Sequence, residues 1–319
     1  MNPVNSVFPI FLAGPTAVGK SEIALLLAEK LGGEIISVDS MQVYRGLDLG
    51  TAKPGTAERQ CVPHHLIDVV DLTAPFDAAK FVELAQKAVA EIQSRNRTPI
   101  FCGGTGLYFK AFLDGLGEAP PADEKLRAVL EAAPLADLLH ELEQRDLATF
   151  AQIDRQNPRR VIRAVEVIRL TGKPFSEQRA RWGEAPDEPP PATPGSRGRS
   201  PHQPMFFGLC RVSEDLHTRI NARVDQMFAA GLVVETRRLL MYGLEQNKTA
   251  MQAIGYRQVV EHLRGARPLK ETIELVKSKT RQYAKRQMTW FRKHAQVQWM
   301  ELSPTESAES CARKIIESL

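Results

Sequence analysis

The 319-residue chain has few cysteines and no long apolar run. The cysteines are Cys61, Cys102, Cys210 and Cys311. They form no CxxC pair, which argues against a structural zinc site and predicts reduced thiols. No apolar run reaches the ~20 residues that cross a bilayer. The apolar stretch 7–13 has neither a preceding basic region nor a small-residue cleavage pattern, so we expect a cytoplasmic protein with no membrane partner.

Acidic residues are missing from one stretch in the last part of the sequence. The net charge of +4 is mild, but residues 277–294 contain seven Lys or Arg residues and no Asp or Glu. Tyr283, Trp290 and Phe291 are interleaved with them. As a helix, this stretch would turn its apolar side chains inward and present a basic stripe that can neutralise nucleic-acid phosphates. An ordinary solvated basic face is the alternative interpretation.

Apolar periodicity predicts an α/β core. Short apolar strands at 7–13, 34–38 and 99–102 alternate with amphipathic helices at Lys20–Leu31 and 76–92, as in a parallel sheet covered by helices. After about residue 116, the apolar periodicity is that of helices and no segment up to residue 170 has a convincing strand pattern. These helices are predicted at 123–133, 135–150 and 158–170, with Asn157 as the cap of the last, before another core strand at Met205–Cys210.

A phosphate-binding loop lies between the first strand and the first helix. Residues 14–21 read GPTAVGKS and fit GxxxxGK[ST]. Its glycines let backbone N–H groups face phosphate oxygens, Lys20 adds a mobile charge, and the Ser21 hydroxyl can hold Mg²⁺. The predicted phosphate-binding residues are Gly14, Pro15, Thr16, Ala17, Val18, Gly19, Lys20 and Ser21. The loop alone does not distinguish ATP or GTP from another pyrophosphate ester, so a nucleotide kinase or NTPase is the default interpretation.

The predicted fold is a P-loop NTPase-like parallel sheet core with an inserted all-helical domain. We assign residues 1–116 and 205–319 to the core and 117–182 to the insertion. Residues 183–204 are rich in Pro, Gly and Ser and predict a flexible surface loop. The adjacent His64 and His65 would point apart on any regular backbone and have no third ligand nearby, so we expect no metal site there.

Asp39 directly follows the second predicted strand, at the sheet edge where open α/β folds place their ligands. A carboxylate there could act as a general base or support Mg²⁺, although an Asp after a strand is often only a turn residue or helix cap.

Seven sequence blocks resemble the tRNA dimethylallyltransferase (isopentenyltransferase) family of bacterial type. In order, they are 39–54 (DSMQVYRGLDLGTAKP), 62–68 (VPHHLID), 103–108 (GGTGLY), 157–164 (NPRRVIRA), 216–224 (LHTRINARV), 253–257 (AIGYR) and 285–292 (KRQMTWFR). The phosphate loop is shared by many families, but this set in this order is specific, and the resemblance spans residues 10–292.

The resemblance implies a reaction and a role for each site residue. In this family, the N6 amine of the adenosine next to the anticodon attacks dimethylallyl pyrophosphate and pyrophosphate leaves. Asp39 matches the family's general base and Thr105 its channel threonine, while Mg²⁺ on Ser21 would help to hold the pyrophosphate. Arg219 and Arg223, on one face of a helix, would place an arginine on the pyrophosphate. The sequence does not separate the two.

The same resemblance implies contacts with the tRNA anticodon stem-loop, whose target adenine must flip out of the stack to reach Asp39. Residues implied in tRNA binding are Ser40, Met41, Gln42, Val43, Arg127, Arg159, Arg160, Val161, Ile162, Arg163, Gly255, Tyr256, Arg257, Lys285, Arg286, Gln287, Thr289, Trp290 and Arg292. Arg159, Arg160, Arg163 and Arg169 lie on a helix whose buried stripe is predicted to be Val161, Val165 and Ile168.

The sequence departs from the family pattern in the loop 182–204, which is longer and richer in proline. It also has no CxxC…H zinc module of the kind that eukaryotic members carry, so tRNA binding is expected from the insertion and the basic helix. We expect a monomer. A kinase or NTPase, and an RNA-binding module with a purely structural loop, are the alternatives; the block at 39–54 argues against the first and Asp39 beside the phosphate loop against the second.

Overall fold

The computed structural model describes residues 8–116, 120–179 and 205–319. The chain divides into two compact units, Met1–Ala111 with Gly198–Leu319 and, between them in sequence, Phe112–Arg197. The predicted loop at 183–204 lies outside the described residues, as does Val7 at the start of the first predicted strand. Within the described residues, no helix combines the length and apolar character needed to cross a membrane.

The first unit is built on a parallel sheet. Its strands are β1 (Ile10–Ala13), β2 (Gly33–Val38), β3 (His64–His65), β4 (Thr98–Gly103), β5 (Met205–Cys210) and β6 (Gln298–Glu301). They are arranged in the order β3-β2-β4-β1-β5-β6, and every neighbouring pair is parallel. The predicted α/β class with a parallel sheet is therefore confirmed. The edge strands β3 and β6 were not predicted.

Helices connect these strands and form the second unit. In chain order they are α1 (Lys20–Leu31), α2 (Thr56–Cys61), α3 (Ala78–Ser94), α4 (Gly106–Asp114), α5 (Glu124–Ala132), α6 (Leu135–Arg145), α7 (Leu147–Gln152), α8 (Pro158–Thr171), α9 (Phe175–Arg179), α10 (Ser213–Ala229), α11 (Leu232–Met241), α12 (Tyr256–Leu263), α13 (Leu269–His294) and α14 (Ala308–Glu317).

Burial explains why the central strands read as continuous apolar runs. All four residues of β1 are buried, because β4 and β5 flank this strand and helices cover the sheet. Helix α1 turns Ile23 and Leu27 into the core beneath the sheet and ends at Gly32 in the left-handed conformation. The predicted bounds of α1 are confirmed.

The described residues of the second unit form helices and their connections, without a strand, and have their own apolar core. That core contains Leu130, Leu138, Leu142, Val161, Ala164, Val165 and Ile168. The predicted buried stripe of α8 is confirmed, as is the Asn157 cap, whose side chain accepts a hydrogen bond from the backbone N–H of Arg160.

The predicted single helix at 135–150 is wrong, because the chain breaks at Asp146. Its carboxylate accepts hydrogen bonds from the backbone N–H and hydroxyl of Thr149 and from the backbone N–H of Ser176. A side chain that caps the next helix competes with continuation of the previous one. Helix α6 therefore ends at Arg145 and α7 begins at Leu147.

Candidate active site

The carboxyl ends of three adjacent strands bring the candidate residues of the first unit to one edge of the sheet. Ala13 at the end of β1 is in register with Gly103 of β4, which is also in register with Val38 of β2. The phosphate loop follows β1, Asp39 follows β2, and Thr105 lies just beyond β4. With β4 between them, the ends of β1 and β2 lie about 10 Å apart, twice the usual strand spacing.

The phosphate loop wraps around its own lysine. The Lys20 ammonium donates to the carbonyl oxygens of Gly14 at 2.9 Å and Pro15 at 2.7 Å. Ala17 adopts a φ of 65°, a left-handed conformation that non-glycine residues rarely adopt and that is found most often at functional sites. Burial lowers the pKa of Lys20 to about 8; Cys102 and Asp39 oppose this shift and Arg223 adds to it.

Three arginines, one directly after β5 and two in α10, hold the outer side of this loop. Arg211 donates from Nε to the carbonyl of Val18 at 2.9 Å, and Arg219 donates in the same way to that of Ala17 at 2.9 Å. Arg223 reaches the Thr16 hydroxyl at 3.3 Å. Arg211 was missed in the sequence; a basic residue directly after the core strand β5 was the available signal.

Arg219 and Arg223 differ in their surroundings. Arg219 is exposed, whereas Arg223 is half-buried. Burial lowers the pKa of Arg223 and the charge of Asp39 opposes that shift, which places this guanidinium within electrostatic reach of the carboxylate. The sequence did not separate Arg219 from Arg223, but their different burial and electrostatic surroundings do.

Asp39 is anchored through one oxygen only. Its Oδ1 accepts the backbone N–H groups of Met41 at 2.8 Å and Gln42 at 3.2 Å, and its Oδ2 accepts no hydrogen bond from the described residues. The turn that follows β2 thus fixes the carboxyl group and leaves one oxygen for another partner.

Thr105 is held beside this carboxylate by the end of β2. Its backbone N–H and that of Gly104 both donate to the carbonyl of Val38, each at 3.2 Å. The Thr105 hydroxyl is buried and makes no hydrogen bond of standard geometry within the described residues. Burial, and then the charge of Asp39, raise the pKa of the nearby Tyr283. Buried polar groups therefore lie close to the carboxylate, which itself stays partly exposed.

An open cleft of about 1020 Å³ adjoins the phosphate loop. Lys20, Ser21, Arg219 and Arg223 line it, whereas Asp39 and Thr105 do not. Lys20 and Arg223 line the cleft, where burial lowers the pKa of both and the charge of Asp39 opposes that shift. These two cations therefore link the cleft to the carboxylate. An anion bound in this cleft would meet cations on its path toward Asp39.

The residues present fit a magnesium ion held mainly by its ligand's phosphates. The Ser21 hydroxyl is exposed toward the cleft and makes no hydrogen bond with the described residues. No group of three His, Cys, Asp or Glu side chains suited to a metal occurs among those residues. Mg²⁺ commonly takes one or two protein ligands together with phosphate oxygens and water.

The exposed face of α13 and the residues after Asp39 accommodate some of the expected tRNA contacts but not all. Exposed residues are Lys285, Arg286, Thr289, Arg292 and Arg257, and partly exposed ones are Ser40, Met41, Gln42 and Trp290. The side chains of Val43, Tyr256 and Gln287 are buried, and Gly255 precedes the first residue of α12 with a positive φ. Buried side chains do not offer an RNA surface in this conformation.

In the second unit, two of the expected arginines are exposed and the others pair with carboxylates. Arg160 is exposed, and so is Arg159. Arg127 and Arg163 both bind the buried carboxylate of Glu166, at 2.6 and 2.7 Å. Arg169 pairs with Glu141. Of the remaining expected residues, Val161 is buried and Ile162 is partly exposed. The first turn of α8 is therefore the available basic surface.

Comparisons with known proteins show similarity along nearly the whole chain. The family model described as IPP transferase matches residues 42–294. A tRNA dimethylallyltransferase from Pelotomaculum thermopropionicum is 41% identical over 322 residues, which cover 99% of this chain and 98% of that protein. Another from Geobacter sulfurreducens is 44% identical, with 92% of this chain and 91% of that protein covered.

Solved structures give the same result. The full-length tRNA isopentenylpyrophosphate transferase of Bacillus halodurans is 38% identical, with a TM-score of 0.67 and coverage of 98% of this chain and 94% of that chain. A eukaryotic dimethylallyltransferase acting on tRNA is 27% identical, with a TM-score of 0.72 and coverage of 93% and 74%. The predicted P-loop NTPase-like core with a helical insertion is thereby confirmed.

Proposed function

The chain belongs to the IPP transferase family, and from that membership we propose that it transfers a dimethylallyl group from dimethylallyl pyrophosphate to N6 of the adenosine immediately 3′ of the anticodon in tRNA. Pyrophosphate is released. The observation that carries this proposal is the placement of a phosphate loop and a half-free carboxylate on strands β1 and β2 of one sheet edge, about 10 Å apart. That spacing leaves room for an allylic carbon that is bonded to the pyrophosphate oxygen on one side and attacked by N6 on the other.

Asp39 is the proposed general base. The N6 amine is a poor nucleophile because its lone pair is delocalised into the adenine ring. Oδ1 stays in the turn and Oδ2 accepts a hydrogen bond from N6, then takes the proton as the C–N bond forms. Thr105, buried beside the carboxylate, is available to the incoming base or the leaving oxygen. The broken bond is the one between the allylic carbon and the pyrophosphate oxygen, which keeps the electron pair.

The phosphate loop and its cations stabilise the charge on the leaving oxygen. Lys20 and Arg223 supply positive charge from the cleft, and α1 adds its N-terminal end. Magnesium, held by Ser21 and the pyrophosphate oxygens, would supply further charge neutralisation. Lys20 must leave the Gly14 and Pro15 carbonyls to reach the ligand.

Each unit offers basic residues for the tRNA. Lys285 and Arg286 are exposed on α13, and Arg159 and Arg160 are exposed on α8. The target adenine lies within a stacked loop and must flip out to reach Asp39, at a cost of a few kcal/mol in unstacking.

The proposal is tested by incubating the protein with labelled dimethylallyl pyrophosphate, Mg²⁺ and unmodified tRNA. We expect label on the tRNA and release of pyrophosphate. A transcript with guanosine at the target position, which lacks the N6 amine, is the matched control and should stay unlabelled. If no label reaches the tRNA and ATP is hydrolysed instead, the chain is an NTPase and the proposal fails.

Pyrophosphate affinity should decline as the pH rises through about 8, the pKa of Lys20. Below this pH the ammonium is charged and binds; above it, the charged fraction falls tenfold per pH unit, and we expect affinity to fall by up to about the same factor. Titration calorimetry with inorganic pyrophosphate between pH 7 and 9.5 measures this. The Lys20→Arg variant keeps its positive charge over this whole range, so its pyrophosphate affinity should not show this decline. Titration of pyrophosphate itself affects both proteins equally.

Replacing Lys285 and Arg286 with alanine should weaken tRNA binding and flatten its salt dependence. Each lost phosphate contact lowers the slope of log K against log[salt] by about 0.7 to 0.9, so the double variant should lose about 1 to 2. The control removes two exposed charges elsewhere, by Lys30→Ala with Arg313→Ala. Filter binding from 50 to 300 mM salt measures both slopes, and an unchanged slope for the α13 variant would place the RNA surface elsewhere.

A further inference from the structure

Gln287 is a buried amide on a helix whose neighbouring side chains are exposed. Only 7% of the residue is accessible, although Lys285 and Arg286 on the same turn face solvent. Its Oε1 accepts the backbone N–H of Thr16 at 2.9 Å, and its Nε2 donates to the carbonyl of Gly104 at 3.0 Å. Both partners are main-chain groups at the sheet edge that carries the candidate site. One lies in the phosphate loop and the other directly before Thr105.

Side chains of α13 pack tightly against the backbone around this amide. A Cβ atom added at Gly104 would overlap the Gln287 side chain, and one added at Gly106 would overlap the Trp290 ring one turn further along α13. Helix α13 therefore lies directly on the backbone of residues 104–106. An amide is suited to this position because it accepts at one end and donates at the other.

Thr16 extends this contact to the far side of the loop. Its backbone N–H is used by Gln287 and its hydroxyl accepts from Arg223. A continuous set of hydrogen bonds thus runs from α13 through Thr16 to the cation proposed for the pyrophosphate. The same amide holds the carbonyl next to Thr105.

We infer that Gln287 is a positioning residue that holds the phosphate loop and the Gly104–Thr105 turn at a fixed separation, and not an RNA contact. The inference rests on the proposed function, since it concerns the distance between bound pyrophosphate and Thr105. Without the amide, the Thr16 N–H and the Gly104 carbonyl lose their partners in a dry environment, which is costly. The loop then shifts and the diphosphate site loosens.

The test compares Gln287→Met with Lys285→Met. Gln287→Met keeps the side-chain length but removes both hydrogen bonds; we expect the Kd for inorganic pyrophosphate with Mg²⁺ and the KM for dimethylallyl pyrophosphate to rise about tenfold, with the tRNA Kd within twofold of wild type. Lys285→Met should instead weaken tRNA binding and leave the Kd for pyrophosphate unchanged. A loss of tRNA affinity with unchanged pyrophosphate binding, or no change in either, would overturn the inference.

Gln287→Glu covers the case in which the methionine variant does not fold. It retains an acceptor for the Thr16 N–H but sets a carboxylate against the Gly104 carbonyl and near the diphosphate, so pyrophosphate binding should weaken more than tenfold while tRNA binding is again unchanged. Pyrophosphate binding by the wild-type protein separates the two proposals. If the wild type neither binds pyrophosphate nor labels tRNA, the proposed function itself fails.

Discussion

Replacing Asp39 with asparagine should lower kcat by about 10²- to 10⁴-fold while leaving tRNA affinity within about twofold. Asparagine has the same shape, and its Oδ1 can still accept the N–H groups of Met41 and Gln42, so the turn after β2 survives. The oxygen that has no partner in the described residues becomes an amide NH₂, which cannot take a proton from N6. The substitution therefore separates proton transfer from local structure, which an alanine variant would not do.

Initial rates at saturating substrates and filter binding with unmodified tRNA measure the two quantities. The matched control is Asp71→Asn, an identical change in an exposed carboxylate paired with Arg45, and its kcat should stay within about twofold. Parallel losses of turnover and tRNA affinity in the Asp39 variant would show that the residue is structural, and an unchanged kcat would remove it from the mechanism.

The sequence predicted the elements that lie next to strong local signals. Helix α1 begins after Gly19 and ends at Gly32, so its predicted bounds agree with the structure. Strand β6 was missed because it is a short strand with partly exposed residues at the sheet edge and no alternating apolar pattern. The break at Asp146 was missed because the acid lies within a helical pattern and its partner Ser176 is distant in sequence.

The same limit applies to the candidate site. Strands joined by βαβ connections run parallel, which predicts that the phosphate loop, Asp39 and Thr105 share one edge. Contacts between distant segments have no local signature, so the hydrogen bond that the Thr16 N–H donates to Gln287, across 271 positions, was not predicted. Helical periodicity identified a basic face on α8, but it could not show that Glu166 already pairs with Arg163.

Replacing Arg223 with glutamine should lower kcat/KM for dimethylallyl pyrophosphate by about 10²- to 10³-fold. Its guanidinium is half-buried, lies within electrostatic reach of Asp39 and contacts Thr16 of the phosphate loop. A cation in such partly desolvated surroundings acts more strongly on the charge that develops on the leaving oxygen than one in open water. Arg223→Lys keeps the charge but not the fork of donors, so it should recover part of the loss.

Arg219→Gln is the matched control, one helical turn away on the same face of α10. Arg219 is exposed and its Nε serves the Ala17 carbonyl, so we expect a loss of about tenfold or less from altered loop geometry. Initial rates at saturating tRNA, together with calorimetric pyrophosphate binding, measure both variants. A larger loss of kcat/KM in the Arg219 variant would mean that Arg219, and not Arg223, acts on the pyrophosphate. Equal losses would mean that both arginines reach the pyrophosphate, in which case the exposed side chain must turn inward when the substrate binds.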